Sequence, residues 1–136
     1  MLSLVPTPIG NIADISIRSL ETLSQAQVML CEDTRVTKRL FHFLKERYSL
    51  TTLEPRFISL HSHNEADFIA SMTPDFFDQD VVYVSDAGMP GISDPGQMLV
   101  RYCIDHGIAY DVLPGANAAL SAFVASGFVE TRMLFF

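Results

Sequence analysis

The sequence predicts an α/β domain of three layers, a mostly parallel five-stranded sheet with helices on both faces. Two observations carry this. Five short apolar runs rich in β-forming residues recur along the 136 residues, and helix-forming stretches separate them. Three of the turns after those runs are rich in glycine, proline and short polar residues, as expected beyond the carboxyl ends of parallel strands. With 49% apolar and 18% charged residues, the chain can bury one sizeable core, and its length suits a single domain.

Leu2 to Pro6 reads as a short buried strand ended by prolines. Asp14 or Ser16 can cap a helix running to about Ala26, with Ile17, Leu20 and Leu23 as its apolar stripe. Gln27 to Cys31 is a second strand. Thr34 to Arg47 is an amphipathic helix, with Val36, Leu40, Phe43 and Leu44 on one side and Lys38, Arg39, Lys45 and Arg47 elsewhere. After a polar stretch ending at Pro55, Phe57 to Leu60 reads as a third strand. Asn64 opens a helix to about Met72, which Thr73-Pro74 interrupts. Val81 to Val84, bounded by Asp80 and Ser85, is the most strand-like segment. Pro95 to His106 is a helix with Asp94 as cap and Gly107 as stop. Tyr110 to Leu113 is a fifth strand, and Gly115 to Ser126 a small-residue helix ended by Gly127. Right-handed crossovers between such strands set helices on both faces.

Nine basic against 16 acidic residues give a net charge of −7, which argues against a general nucleic-acid coat. The charge is unevenly spread. Six of the nine Lys and Arg (Arg35, Lys38, Arg39, Lys45, Arg47, Arg56) fall between residues 35 and 56, against Glu46 and Glu54, for a local +4. Residues 65 to 111 hold nine acids and one Arg, or −8. The basic segment reads as a solvated helix face or as one edge that docks a polyanion. The opening MLSLVPTPIG lacks the basic flank of a signal peptide. Pro114, Gly115 and Gly127 break the longest uncharged run, Val112 to Val129, so no membrane span is expected. Cys31 and Cys103, far apart in apolar stretches, are expected to be buried free thiols of a cytoplasmic protein. The apolar run Met133-Leu134-Phe135-Phe136 suggests a chain cut at a domain border, with a domain over 1–131 and the start of a linker over 132–136.

The turns are where function is expected. The first, Pro6 to Asn11, is stiffened by Pro6 and Pro8 and opened by Gly10; alone, it reads as a rigid connector rather than a binding loop. The second, Ser85 to Gly96, holds three Gly, two Pro and two Asp directly after the best strand, and is longer than a connector needs to be. Asp86, at the strand's end, is set to hold a hydroxyl or a cation. The third, Pro114 to Ala119, offers the N–H groups of a helix start with little steric cost, though close helix packing explains its alanines equally well. Neither Gly-x-x-x-x-Gly-Lys nor Gly-x-Gly-x-x-Gly occurs, which disfavours a nucleotide held by its polyphosphate. His61 and His63 could join Glu32 or Asp33 around a metal, but substrate contact or general-base work is the better reading, because histidine as a residue type titrates near neutrality. No nucleophile with base and orienting acid stands out, so covalent catalysis is unsupported.

Taken together, V-P-T-P-I-G-N-x-x-D (5–14), C-E-D-T-R-x-T (31–37), H-S-H-N-E (61–65), S-D-A-G-M-P-G-I-S-D-P-G (85–96) and P-G-A-N-A (114–118) resemble, in order, the ribosomal RNA small-subunit methyltransferase I group of the tetrapyrrole methylase superfamily. Met89 stands where that group commonly has Thr, and Cys31 where it commonly has Ala. The resemblance implies the N-terminal domain of a tetrapyrrole methylase fold and an S-adenosylmethionine-dependent enzyme. Its reaction would be methylation of a cytidine 2′-oxygen in small-subunit (16S) rRNA, free or in the 30S particle. It further implies a two-domain homodimer with the cofactor between the domains, no metal, and a chain that is inactive without its second domain. Pro8 and Gly10, then Asp86, Ala87, Gly88, Met89 and Ile92, then Pro114, Gly115, Ala116 and Asn117 would contact the cofactor. Asn11, Asp33, Thr34, Arg35, His61, His63 and Asn64 would face the RNA, with Arg35, Lys38 and Arg39 on its phosphates. Asp86, His61 and His63 are candidates to accept the 2′-hydroxyl proton. Two other readings stand beside this one: a tetrapyrrole acceptor, or a non-catalytic nucleotide-binding domain.

Overall fold

In a computed structural model, the chain is described over residues 1–134. Five strands, β1 (Leu2–Leu4), β2 (Val28–Cys31), β3 (Arg56–Ser59), β4 (Val81–Val84) and β5 (Tyr110–Val112), form one sheet in the order β3-β2-β4-β1-β5. Every pairing is parallel, so the expected mostly parallel sheet is wholly so, and all five carboxyl ends emerge along one edge. The helices are α1 (Ile17–Ser24), α2 (Thr34–Tyr48), α3 (Glu65–Ser71), α4 (Gly96–His106) and α5 (Ala118–Ala125).

Strand alternation divides the interior into two cores, one on each face of the sheet. Leu4, Leu30 and Tyr83 point to one face and meet Leu99, Tyr102 and Cys103 of α4, with Phe68 and Ile69 of α3 beside them. Met29, Cys31, Val82 and Val84 point to the other, where Leu20 and Leu23 of α1 and Phe41 and Leu44 of α2 cover them. Both cysteines are buried and free.

Helix boundaries follow the local chemistry. Ser16 Oγ accepts the Ser19 N–H (2.9 Å) and caps α1, and Asp33 Oδ1 accepts the Arg35 N–H (2.9 Å) and caps α2. The helix faces differ from expectation in two places. Ile17 is 75% exposed, because at 100° per residue it lies roughly a quarter-turn from the centre of the face made by Ser19, Leu20, Leu23 and Ser24. In α2 the buried stripe is Thr37, Phe41 and Leu44 with Leu40 at its margin, while Val36 and Phe43 turn outward. A threonine at the centre of the buried face hides that stripe from a count of apolar residues.

Two further corrections concern the strand-end turns. Helix α5 begins at Ala118 and not at Gly115, because Asn117 Oδ1 accepts the Leu120 N–H (3.0 Å) and fixes the start there. Pro95 occupies the cap position of α4, and Asp94 instead braces the turn before it. The Asp94 carboxylate accepts the Gly91 N–H (2.9 and 3.1 Å to its two oxygens) and the Gly96 N–H (2.9 Å). Helix α5 contributes no buried residue. Residues 132–134 have no regular secondary structure, and the remainder of the expected linker, 135 and 136, lies outside the described residues. No helix among the described residues is long and apolar enough to cross a membrane.

Candidate functional site

The three glycine- and proline-rich turns interlock. Thr7 near the start of the first and Gly88 in the second exchange two backbone hydrogen bonds (3.1 and 3.0 Å), a one-rung antiparallel bridge beyond the parallel sheet. At Gly88 (φ +82) an added Cβ would stand 3.0 Å from Ile9 Cγ2 and 3.5 Å from the Ala116 carbonyl oxygen. Here the first, second and third turns meet. At Gly115 an added Cβ would fall 2.4 Å from Pro6 Cβ, so only glycine allows the third turn to lie on the first. Ser85 Oγ donates toward the carbonyls of Ala87 and Gly88 (3.2 Å each) and closes the second turn on itself.

Two open clefts flank the second turn. One, of about 580 Å³, is lined by Met89, Ile92 and Asn117 with Leu4, Val100 and Val112, and is mostly apolar. The other, of about 390 Å³, is lined by Glu32, Asp86, Ala87 and Asp94, with Met89 and Ile92 forming the wall it shares with the first. Gly10 (φ +144) has nothing within 4 Å of the place a side chain would occupy, so the first turn presents bare backbone. Pro8 is half-buried and Pro114 is exposed.

The polar motifs gather at the opposite half of the same edge. The Asp33 N–H donates to Asp86 Oδ1 (3.3 Å), which links the turn after β2 to the turn after β4. Asp33 also holds Arg35, through Nε to Oδ1 (3.3 Å) and Nη2 to Oδ2 (3.2 Å). That guanidinium holds the Asp33 carboxyl below the usual range. Asn64 is a brace: its Oδ1 accepts the His61 N–H (2.8 Å) and its Nδ2 donates to the Ser59 carbonyl (3.0 Å). Asn11 likewise accepts the Ala13 N–H (3.0 Å) and caps a single 3₁₀ turn. His61 and His63 stack edge to face, and the His63 N–H donates to His61 Nδ1 (3.2 Å). Thr34 opens α2; Lys38 sits over the Phe57 ring (5.6 Å to its centroid), and Arg39 is exposed. No group of three or more His, Cys, Asp or Glu among the described residues is arranged to hold a metal ion.

The predicted residues therefore share one edge without sharing one pocket. His61, His63 and Asn64 follow β3, and Pro114 to Asn117 follow β5, at opposite ends of the strand order. Four inter-strand steps of about 4.8 Å separate them by roughly 19 Å. Asp86 follows the central strand and meets the polar half through the Asp33 N–H.

Glu32 and Asp94 of the acidic cleft, and Tyr83, whose hydroxyl feels both charges, are not marked in the sequence as one group. There Glu32 suggests only a metal ligand, Asp94 only a cap, and Tyr83 only part of a strand. In the fold, the Tyr83 hydroxyl is fully shielded and lacks a hydrogen-bond partner. Burial, and then the charges of Asp94 and Glu32, hold that hydroxyl well above the ordinary phenol range. Burial first, then Asp86 and Asp94, likewise raise the Glu32 carboxyl above its usual range. The pairing of β2 with β4 assembles this group, and no local motif announces it.

Known proteins share this architecture and much of the sequence. The family profile of Tetrapyrrole (Corrin/Porphyrin) Methylases matches residues 1–132. The chain is 50% identical over 142 residues to Ribosomal RNA small subunit methyltransferase I of Helicobacter pylori, covering 99% of this chain and 50% of that protein. It is 46% identical over 136 residues to the protein of that name from Campylobacter fetus, again covering 99% and 50%. The chain thus spans about half the length of these relatives. Among solved structures, uroporphyrin III C-methyl transferase from Thermus thermophilus matches with a TM-score of 0.64 at 15% identity, over 90% of this chain and 51% of that one. At that identity the likeness shows the fold.

Proposed function

This chain belongs to the tetrapyrrole methylase family, and we propose that it is the N-terminal half of an enzyme that methylates the ribose 2′-oxygen of a cytidine in small-subunit (16S) rRNA, using S-adenosylmethionine. The observation that carries the reading is the locking of the first, second and third turns around Gly88 and Gly115, in a chain whose relatives bear the name of an rRNA methyltransferase.

The residues fit this methyl donor. Gly10 and the glycines of the second turn present backbone without side chains, and Met89, Ile92 and Asn117 offer an apolar wall with one polar end. Asp86 and Asp94 supply the negative charge that a sulfonium favours. Bound there, S-adenosylmethionine would supply an electrophilic methyl group carried on positive sulfur. The chain's own part is alignment: a turn pinned by two bridge hydrogen bonds and a proline–glycine contact holds its shape before the acceptor arrives.

On the other half of the edge, Asn11, Asp33, Thr34, Arg35, His61, His63 and Asn64 would face the RNA, with Lys38 and Arg39 on its phosphates. The local +4 of residues 35–56 favours RNA over a tetrapyrrole acceptor. An rRNA acceptor, as free RNA or as the 30S particle, implies a cytoplasmic protein. A homodimer of two-domain subunits completes the reading, with this chain inactive alone. The test supplies labelled S-adenosylmethionine to the two-domain protein and to this chain, each with undermethylated small subunits or a tetrapyrrole. Label in 16S ribose from the two-domain protein alone is the expected result. Label in the tetrapyrrole, or equal activity from this chain, overturns the proposal.

A further inference from the structure

We propose that Glu32 accepts the 2′-hydroxyl proton during methyl transfer, in place of Asp86, His61 or His63; the assignment rests on the activity proposed above. Its first support is position. Cys31 ends β2 between Val84 of β4 and Ser59 of β3. Glu32 is thus the first residue beyond the sheet after β2, next to the turn that follows the central strand β4. Its main chain is held there: the Glu32 carbonyl accepts the Ser59 hydroxyl (3.1 Å), and the Leu60 N–H donates to the Cys31 carbonyl (2.8 Å). Its side chain lines the acidic cleft with Asp86 and Asp94.

The second support is the state of its carboxylate. Glu32 is half-buried and, among the described residues, makes no ion pair. The groups facing it are Asp86 and Asp94 from the turn after β4, His61 from the turn after β3, and the unpartnered hydroxyl of Tyr83 from β4. On its own side, Arg35 is already engaged by Asp33. Partial burial and the two like charges of Asp86 and Asp94 make proton uptake easier than for a carboxylate in water, and the Asp86 N–H only partly offsets them.

The other candidates are less suited. A backbone N–H on His61 Nδ1 leaves the neutral ring with its proton on Nε2, so that nitrogen donates and does not accept. His63 is exposed, and Asp86 is exposed with Oδ1 taken by the Asp33 N–H. In the transfer, the ribose oxygen bonds to the methyl carbon as the carbon–sulfur bond breaks with its electron pair left on sulfur. The hydroxyl proton passes to Glu32, which becomes a neutral acid and later returns that proton to water.

The test uses the two-domain protein with Glu32→Gln and Glu32→Asp. Glu32→Gln should lower kcat by about 10²- to 10⁴-fold, abolish the acidic limb of the kcat–pH profile, and leave donor and RNA affinities near those of the unaltered protein by calorimetry. Glu32→Asp should restore part of kcat with the limb. Carbon-13 NMR of labelled glutamates should show one carboxyl, absent from Glu32→Gln, titrating above the other glutamates. An intact acidic limb in Glu32→Gln, or lost donor affinity with kcat unchanged, overturns the assignment. If the unaltered protein methylates no RNA, the activity reading falls and the assignment with it, a result distinct from either of those.

Discussion

Gly115 and Pro6 touch so closely that the contact tolerates no added atom, and the proline ring, with its φ fixed, cannot step aside. Gly115→Ala should therefore cost about 1–3 kcal/mol through overpacking, read as a lower urea midpoint at unchanged slope. Burial pushes the Cys103 thiol up to about 11 and raises Cys31 as well. Neither thiol should react with Ellman's reagent in the native protein at pH 7, and both should react once it is unfolded. Glu32 makes a pH-dependent prediction. A carboxyl raised in the folded state burdens stability little below the unfolded value of 4.5, and increasingly as pH climbs through the folded value. Glu32→Gln should thus raise Tm slightly at pH 7, with the gain fading as the pH falls from the folded value toward the unfolded one; a gain that grew in acid would reverse this sign. At this scale the turn glycines and prolines are legible in the sequence because few other roles suit them at strand ends. Glu32 is not, because its meaning depends on neighbours fifty residues away.

Among the elements, the strands and helices stand out in the sequence, with boundaries displaced by a residue or a few. Helix faces are harder to read. Thr37 sits in the buried stripe of α2 while Phe43 sits outside it, because packing against the sheet is set by angle around the helix as well as by hydropathy. Two phenylalanines two residues apart make the difference measurable. Phe41, 7% exposed and edge-on to Phe57, should cost about 3–5 kcal/mol on replacement by Ala. Phe43, 49% exposed, should cost within about 0.5 kcal/mol. Similar losses from both, in denaturant titrations, would mean that α2 is rotated from the orientation described. Capping is more local: Ser16→Ala should cost about 1 kcal/mol, since only the Ser19 N–H and hydroxyl depend on it.

For the molecule as a whole, the fold class can be read from alternation of strand and helix, but the order β3-β2-β4-β1-β5 cannot, since hydropathy does not say which strands are neighbours. The same is true of charge: the sequence shows a basic segment, while the structure shows how its members differ. Arg35 is tied to Asp33, whereas Arg39 has no ion pair among the described residues. Arg39→Glu should thus weaken RNA binding more than Arg35→Glu, leave donor affinity unchanged, and lower the salt slope by about 1 for each phosphate no longer neutralised. Filter binding across a salt series distinguishes the two. The register of β1 carries a further consequence. Leu2 pairs with Val81 on one side and Tyr110 on the other, so of these five strands the earliest in the sequence is the last to gain both neighbours. Its buried residues stay without one flank until the fifth strand has been made, which ties completion of this sheet to synthesis of that strand and leaves the segment open to chaperone contact meanwhile.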